Sequence, residues 1–504
     1  MMTIELNKGE LLWGGRIHEG TKMPYTPGFT ADLHAPLGNQ ENFLLLSDQG
    51  RVIYSDKPFV FTVGEDKLFL EPDGDIIERQ AGSTLRDAYL YAMNTFYPQH
   101  AEHVEEELFR APQFNTWIEL IYNQNQKDIL AYAERIAAEG FPRGVLMIDD
   151  NWQEDYGVWR FHEGRFPDPH AMIDRLHELG FKVMLWVCPF VSPDCLTFRE
   201  MEKDGLFVRT QSGEVHLAHW WNGYSAVLDL TRPADWNWFT AQMDELQKTY
   251  GADGFKFDAG GPHFYPADCR YHEAGASGYR QTQQFTLFAA QYPFSELRET
   301  CNQPQYAAAE RLCDKTHTWT ENGLATLIPN SMAQSIMGYQ MICPDMIGGG
   351  EYSNMTENAS RLDQELIVRC TQASALLPMM QFSAAPWRIL DEEHYACCKK
   401  AVALHTRFAD YIEQTVRDSL ASREPVVQPL EYAFPHQGLA HVTQQFMLGE
   451  TLMVAPVIEK GAKTQKVVLP EGRWTADDGQ VYEGGREVEI DTPLDRLPFF
   501  TREL

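Results

Sequence analysis

Between residues 114 and 258 the chain repeats one hydrophobic pattern. A segment with apolar positions three and four apart ends in glycine, and a short continuous apolar run follows. The first periodic segment is 127–139, with Ile129, Tyr132 and Ile136 on one face and Gly140 behind them. The run 144–150 (GVLMIDD) comes next. Met172, Ile173, Leu176 and Leu179 then share a face before Gly180, and the run 182–188 (KVMLWVC) follows. A third periodic segment, 238–250, stops at Gly251 and leads into 254–258 (GFKFD). Spacing near 3.6 predicts amphipathic helices, glycine their left-handed ends, and the apolar runs strands buried on both faces. The stretch 114–120 (FNTWIEL) predicts a strand before the first unit. Such alternation gives parallel strands covered by helices. Spread over about 300 residues, it predicts a (β/α)8 TIM barrel. An open doubly wound sheet is the alternative, but no GxGxxG follows any strand, which removes its dinucleotide-binding form.

The flanks read differently. Short runs at 43–46, 51–54, 59–63 and 67–70, separated by DQG, GED and PDGD turns, predict an N-terminal β-sandwich over 1–110. The barrel is assigned to 111–405. Runs at 446–448, 451–457 and 466–469, with turns at EGRW, ADDGQ and YEGGRE, predict a C-terminal β-sandwich over 406–504. The class is therefore α/β, a barrel flanked by two β domains.

With 42 basic and 72 acidic residues the net charge is −30, spread along the chain. It disfavours nucleic acid and anionic membrane surfaces as partners. The start, MMTIELNKGELLWGG, has neither a basic nor an apolar segment of the kind a secretory leader needs. Nine cysteines, several in apolar settings such as Cys188 and Cys343, read as reduced thiols, and the expected compartment is the cytoplasm. Cys397 and Cys398 have no ligand spacing, so no metal is expected. The 12 Trp, 21 Tyr and 28 Phe suit either sugar stacking or a large core.

In a parallel barrel, polar residues at the C-terminal ends of strands face one mouth. Here those ends carry Asp149 and Asp150, followed by Trp152; then Trp186; then Lys256 and Asp258. A single acid there could merely cap the next helix. Several ends carrying acids or tryptophans point instead to a site. Lys256 lies two residues before Asp258, on the same side of a strand, where its ammonium would keep the carboxylate ionised. Glycoside hydrolysis needs two carboxyl groups, one ionised and one protonated, with environments that separate their pKa values.

The KFDAG and LMIDDNWQ motifs, with the C-terminal stretch FMLGETLMVAPVIEKGA, VVLPEGRW and GQVYEGG, resemble glycoside hydrolase family 31 from about residue 114 to 485. FNTWIELIYNQNQ, KVMLWVCPFVSPD, WWNGYSAVLDLTRP and PDMIGGG are similar to the branch that holds bacterial α-galactosidases. The resemblance implies a retaining exo-α-glycosidase with neither metal nor cofactor, acting on an oligosaccharide or glycoside, and self-association is frequent in such a family. It makes Asp258 the nucleophile and, by matching WTENG to a motif usually written WGGDNG, makes Glu321 the acid/base. Asp314 is a second candidate acid. The arginine usual before that acid is absent from this match, with His317 nearby instead. Asp149 or Asp150 and Asp345 resemble sugar-binding acids, and Trp220 and Trp221 are candidate sugar platforms or rim packing. Gln381 and Ser383 stand where an α-glucosidase pocket often carries Arg and His, which argues against an ordinary α-glucosidase pocket, and the likeness to the galactosidase branch makes an α-galactosidase the leading expectation. α-Glucosidase, α-xylosidase and sulfoquinovosidase activity, and a sugar-binding protein without catalysis, are the alternatives.

Overall fold

The computed structural model describes residues 2–99, 105–306, 309–357 and 362–503. Eight parallel strands form the central sheet: Gln113–Asn115, Val145–Ile148, Lys182–Val187, Gly254–Phe257, Ser295–Leu297, Ala309–Arg311, Ile342–Cys343 and Gln381–Phe382. They pair in chain order, and the eighth pairs with the first. Between the seventh and eighth the ring is drawn together by Ile347 N–H, which donates to the Gln381 carbonyl at 2.8 Å. The result is the TIM barrel that the repeated pattern predicts.

The helices begin and end where local chemistry dictates. Gln126–Ala138 is capped by the Asn125 side chain, which accepts from Asp128 N–H, and Pro169–Glu178 is capped by Asp168 with proline in its first turn. Gly140, Gly180 and Gly251 take φ of 80°, 93° and 77°, so each predicted glycine stop lies in the left-handed region. Two predicted elements differ. Strand one is only Gln113–Asn115, because Trp117–Leu120 turns into a short helix. The return to β structure after 405 is delayed by the helix Ala409–Ser422, whose Ile412 and Val416 pack into the barrel core.

Two four-stranded antiparallel sheets make the N-terminal sandwich. Glu41–Ser47 lies in one, beside Leu12–Arg16 and Arg51–Tyr54, and Phe59–Val63 and Lys67–Pro72 lie in the other. A helix that the hydrophobic pattern does not predict, Leu85–Phe96, closes this unit. The C-terminal domain is a six-stranded sheet with a separate two-stranded antiparallel sheet of Thr464–Leu469 and Arg486–Asp491. All nine cysteines are unpaired. Among the described residues no helix is long and apolar enough to cross a membrane.

Candidate active site

Strands two and four end in acids that the backbone immediately folds back upon. Asn151 and Ala259, the residues after Asp150 and Asp258, have φ of 72° and 56°, which is unusual for residues other than glycine. In that conformation Asn151 N–H donates to Asp150 Oδ1 at 2.7 Å and Ala259 N–H to Asp258 Oδ1 at 2.8 Å. Both carboxyls therefore point into the barrel mouth. There they line a cavity of about 290 Å³ together with Trp117, Tyr122, Asp149, Trp186, Trp221, Lys256, Arg298, Arg311, Asp314, Met346, Glu351 and Tyr352. The volume is at the small end of the range for ligand sites. A cavity of about 360 Å³ between the helix Glu392–Arg407 and the C-terminal domain is larger, but its Asp477 and Asp495 are tied to Arg496 and Lys400.

Asp258 is 6 % exposed. Its Oδ2 accepts from the Trp186 indole N–H at 3.0 Å, and Arg298 Nε forms an ion pair with Oδ1 at 3.0 Å. Burial opposes ionisation, but Arg298, Lys256, Arg311 and the Trp186 N–H outweigh it and hold the carboxyl at about 2. The charge that Lys256 was expected to supply thus comes first from Arg298. Lys256 Nζ itself donates to Asp149 Oδ2 at 2.6 Å. Asp150 accepts from Tyr156 OH at 3.0 Å and Asn222 Nδ2 at 2.6 Å. Burial and the neighbouring Asp149 push it up to about 7.

Asp314 stands three residues beyond the last residue of strand six, Arg311, whose Nη1 donates to Asp314 Oδ1 at 2.8 Å. Burial raises its carboxyl, but Arg311, Arg298 and Lys256 together bring it below the usual range. Glu321 lies ten residues beyond Arg311, on an exposed turn, and does not line the cavity. Trp319 holds this turn outward by donating to Asp363 Oδ2 at 2.9 Å, and Thr316 N–H closes it on the Asn322 carbonyl at 2.8 Å. The structure therefore does not bring Glu321 to the cavity, and the acid that lines it beyond strand six is Asp314. With that register, an arginine does precede the acid. His317 is a loop anchor, facing the Gly348 carbonyl at 2.8 Å and accepting from Asp363 N–H at 3.0 Å.

Of the expected binding residues, the structure brings Asp149, Asp150, Trp186, Trp221 and Lys256 to the cavity. Four others fall outside it. Trp152 is fully buried against Phe161, its indole donating to the Trp186 carbonyl at 2.8 Å. Trp220 packs behind Trp186, with rings 6.5 Å apart and 9° from parallel. Asp345 lies behind the wall, taking Arg311 Nη1 at 2.8 Å and the N–H groups of Lys315 and Gly350 at 2.6 and 2.7 Å. Gln381 sits inside the barrel, donating to Glu296 Oε2 at 2.8 Å. Ser383 is buried too and accepts from Ile118 N–H at 2.6 Å, so neither strand-eight residue lines the cavity.

The site residues that sequence patterns do not reveal come from segments without a legible periodicity. Arg298 and Arg311 sit at the ends of strands five and six, each only three residues long. Trp117, Tyr122 and Tyr352 form an edge-to-face triangle with centroids 5.4–5.7 Å apart on one side of the mouth. On the other, the Arg298 guanidinium lies 5.0 Å from the Trp221 ring centroid.

Comparison with known proteins agrees with this frame. Residues 111–415 match the glycosyl hydrolases family 31 TIM-barrel domain, and residues 423–503 match the C-terminal domain of the same family. Myogenesis-regulating glycosidase of Mus musculus is 33 % identical over 430 residues, covering 83 % of this chain and 60 % of that protein. Sulfoquinovosidase of Escherichia coli (strain K12) is 24 % identical, covering 68 % of this chain and 53 % of that protein. The chain thus spans between half and three-fifths of the length of these relatives. A solved α-xylosidase from a soil metagenome, complexed with xylose, superposes with a TM-score of 0.84 at 22 % identity, covering 99 % of this chain and 79 % of that one, a likeness of fold.

Proposed function

This chain belongs to glycosyl hydrolase family 31, and from that premise we propose that it is a retaining exo-α-glycosidase, with Asp258 as nucleophile and Asp314 as acid/base. The observation that carries the reading is one cavity holding both acids, one ending strand four and the other following strand six, each with its own arginine. Asp258 is ionised and can attack the anomeric carbon, forming a β-linked glycosyl-enzyme as the bond to the leaving oxygen breaks. Asp314 donates the proton to that oxygen and then removes one from the water that releases the sugar, so configuration is retained. Asp149 and Asp150 serve to bind hydroxyls of the terminal sugar, with Trp186 walling the ring.

Arg311, with Arg298 and Lys256, holds Asp314 below the usual carboxylate range against the effect of burial, which suits its second role directly. The first role requires proton uptake. Leaving groups that depart without a proton should therefore be favoured strongly at neutral pH over sugars, which need one.

The sugar proposed is an α-galactoside, on the likeness of the motifs to the galactosidase branch. The strand-eight argument against an α-glucosidase weakens because Gln381 and Ser383 do not line the cavity. A panel of 4-nitrophenyl α-glycosides of galactose, glucose, xylose and sulfoquinovose tests the sugar. Proton NMR of the first-formed product tests retention. Appearance of the β-anomer first would overturn the mechanism, and binding without turnover on every member would favour a sugar-binding role.

A further inference from the structure

Residues 39–42 (Asn39, Gln40, Glu41, Asn42) form a wholly polar run that by pattern alone belongs on a solvated turn. They are instead 6, 1, 2 and 0 % exposed. Burying four such groups is unfavourable unless each finds partners, and the partners of the first two converge on the active site. Asn39 Nδ2 donates to the carbonyls of Arg298 and Arg311 at 2.8 and 3.1 Å, while its Oδ1 accepts from Cys313 N–H at 3.0 Å. Gln40 Nε2 reaches the same two carbonyls at 2.7 and 3.1 Å and lies 3.2 Å from Glu310 Oε2. Gln40 Oε1 accepts from Gln334 Nε2 at 3.3 Å. Glu41 continues the contact through its backbone, donating to the Thr300 carbonyl at 3.1 Å and accepting from Asn302 N–H at 2.8 Å.

The barrel does not do this for itself. Strands five and six pair over only two rungs, Glu296 with Ala309 and Leu297 with Glu310. The next residues are Arg298 and Arg311, and no rung joins them. Their side chains carry like charge, and among their acidic partners each holds one of the two acids of the cavity: Arg298 pairs with Asp258 and Arg311 with Asp314. Two carboxamides from the N-terminal sandwich stand where the third rung would be, each bridging both carbonyls.

We propose that Asn39 and Gln40 are positioning residues for catalysis, pinning the ends of barrel strands five and six so that Arg298 and Arg311 stay on the two carboxylates. The N-terminal domain thereby completes the site without touching the sugar. The inference rests on the proposed roles of Asp258 and Asp314.

The test uses the full chain with Asn39→Leu, Gln40→Met and the double variant, which keep bulk and remove the donors. Tyr279→Phe is the control. Tyr279 OH donates to the Leu33 carbonyl at 2.6 Å, joining sandwich to barrel without contacting either arginine. Melting temperature, kcat and KM, pH profile and crystal structure are measured for each. In the donor variants kcat falls about 100-fold, as misplacement near 1 Å does. KM changes far less, and the acid limb of kcat/KM moves upward by about 1 unit or more as Arg298 recedes from Asp258. Tyr279→Phe lowers the melting temperature and leaves the pH profile in place. The proposal is overturned if the variant crystals keep Arg298 on Asp258 and Arg311 on Asp314, or if activity falls only with the folded fraction and the profile does not move. Where the double variant does not fold, Asn39→Leu alone decides. A wild-type protein that hydrolyses no glycoside refutes the functional reading, while the arginine positions in the crystals still decide the pin.

Discussion

Arg298 reaches from the end of barrel strand five to place Nε 3.0 Å from Asp258 Oδ1. Burial alone would push this carboxyl up, and Arg298 is the largest of the influences that bring it down to about 2. Arg298→Met leaves the burial and removes the nearest cation, so the carboxyl rises. The acid limb of kcat/KM, which reports free-enzyme groups, should move upward by about 1–3 pH units. Arg298→Lys should fall between wild type and Met, because a point charge cannot reproduce the planar guanidinium. A pH–rate profile on a dinitrophenyl glycoside checks this, and an unmoved limb would remove Arg298 from control of Asp258.

Asp314 and Glu321 make opposite predictions. Asp314→Ala should lose about 10²–10⁴ in rate on glycosides with poor leaving groups, and much less on dinitrophenyl glycosides. Azide should restore turnover and yield the α-glycosyl azide. Glu321→Ala, on an exposed turn, should keep wild-type rates and a stability within about 0.5 kcal/mol. Azide rescue of Glu321→Ala in place of Asp314→Ala would return the role to Glu321.

The legible parts of this chain are those with strong local pattern. Strands two to four are apolar runs flanked by helices with caps and glycine stops, so hydrophobic patterning alone puts Asp149, Asp150, Trp186, Lys256 and Asp258 at the mouth. Strands five to eight are two or three residues long, too short for periodicity to show. Arg298, Arg311 and the register of Asp314 are therefore hidden. Matching WTENG by its tryptophan leads to an exposed turn outside the cavity, where Trp319 donates to Asp363. Trp152 and Gln381 mislead for a different reason. Both sit near strand ends, but one turns into the core behind Trp186 and the other into the polar layer inside the barrel. Sequence spacing does not encode that choice of direction.

Glu41 gives the fold a pH dependence. Burial pushes it up to about 8, Arg16 lowering it and Glu299 and Glu19 opposing that. A carboxyl raised in the folded state stabilises fully below its unfolded value near 4.5 and loses that contribution as pH climbs to about 8. Glu41→Gln should therefore be most stabilised relative to wild type at pH 8 and show least advantage near pH 4. Every tenfold change in the carboxyl's proton affinity between folded and unfolded chain is worth about 1.4 kcal/mol, so the difference across this window should reach a few kcal/mol. Denaturant titrations at both pH values measure it, and parallel curves for the two proteins would contradict the assignment.

Lys256 and Asp149 form a buried ion pair in the wall of the cavity, 2.6 Å apart with both side chains 4 % exposed. Breaking such a pair from one side is costlier than removing it whole, because the surviving charge stays buried without a partner. Lys256→Met should destabilise by about 3–5 kcal/mol, and it also withdraws one of the cations that lower Asp258. Adding Asp149→Leu should recover much of the stability, while the proposed activity stays lost because the acid proposed to bind the sugar goes with it. The two effects separate in a double-mutant cycle: a coupling energy of about 1 kcal/mol or more is expected for neighbours in one charged network. Strict additivity would mean that water or a rearranged Glu296 takes over the orphaned charge, and that the pair does not fix the floor of the cavity.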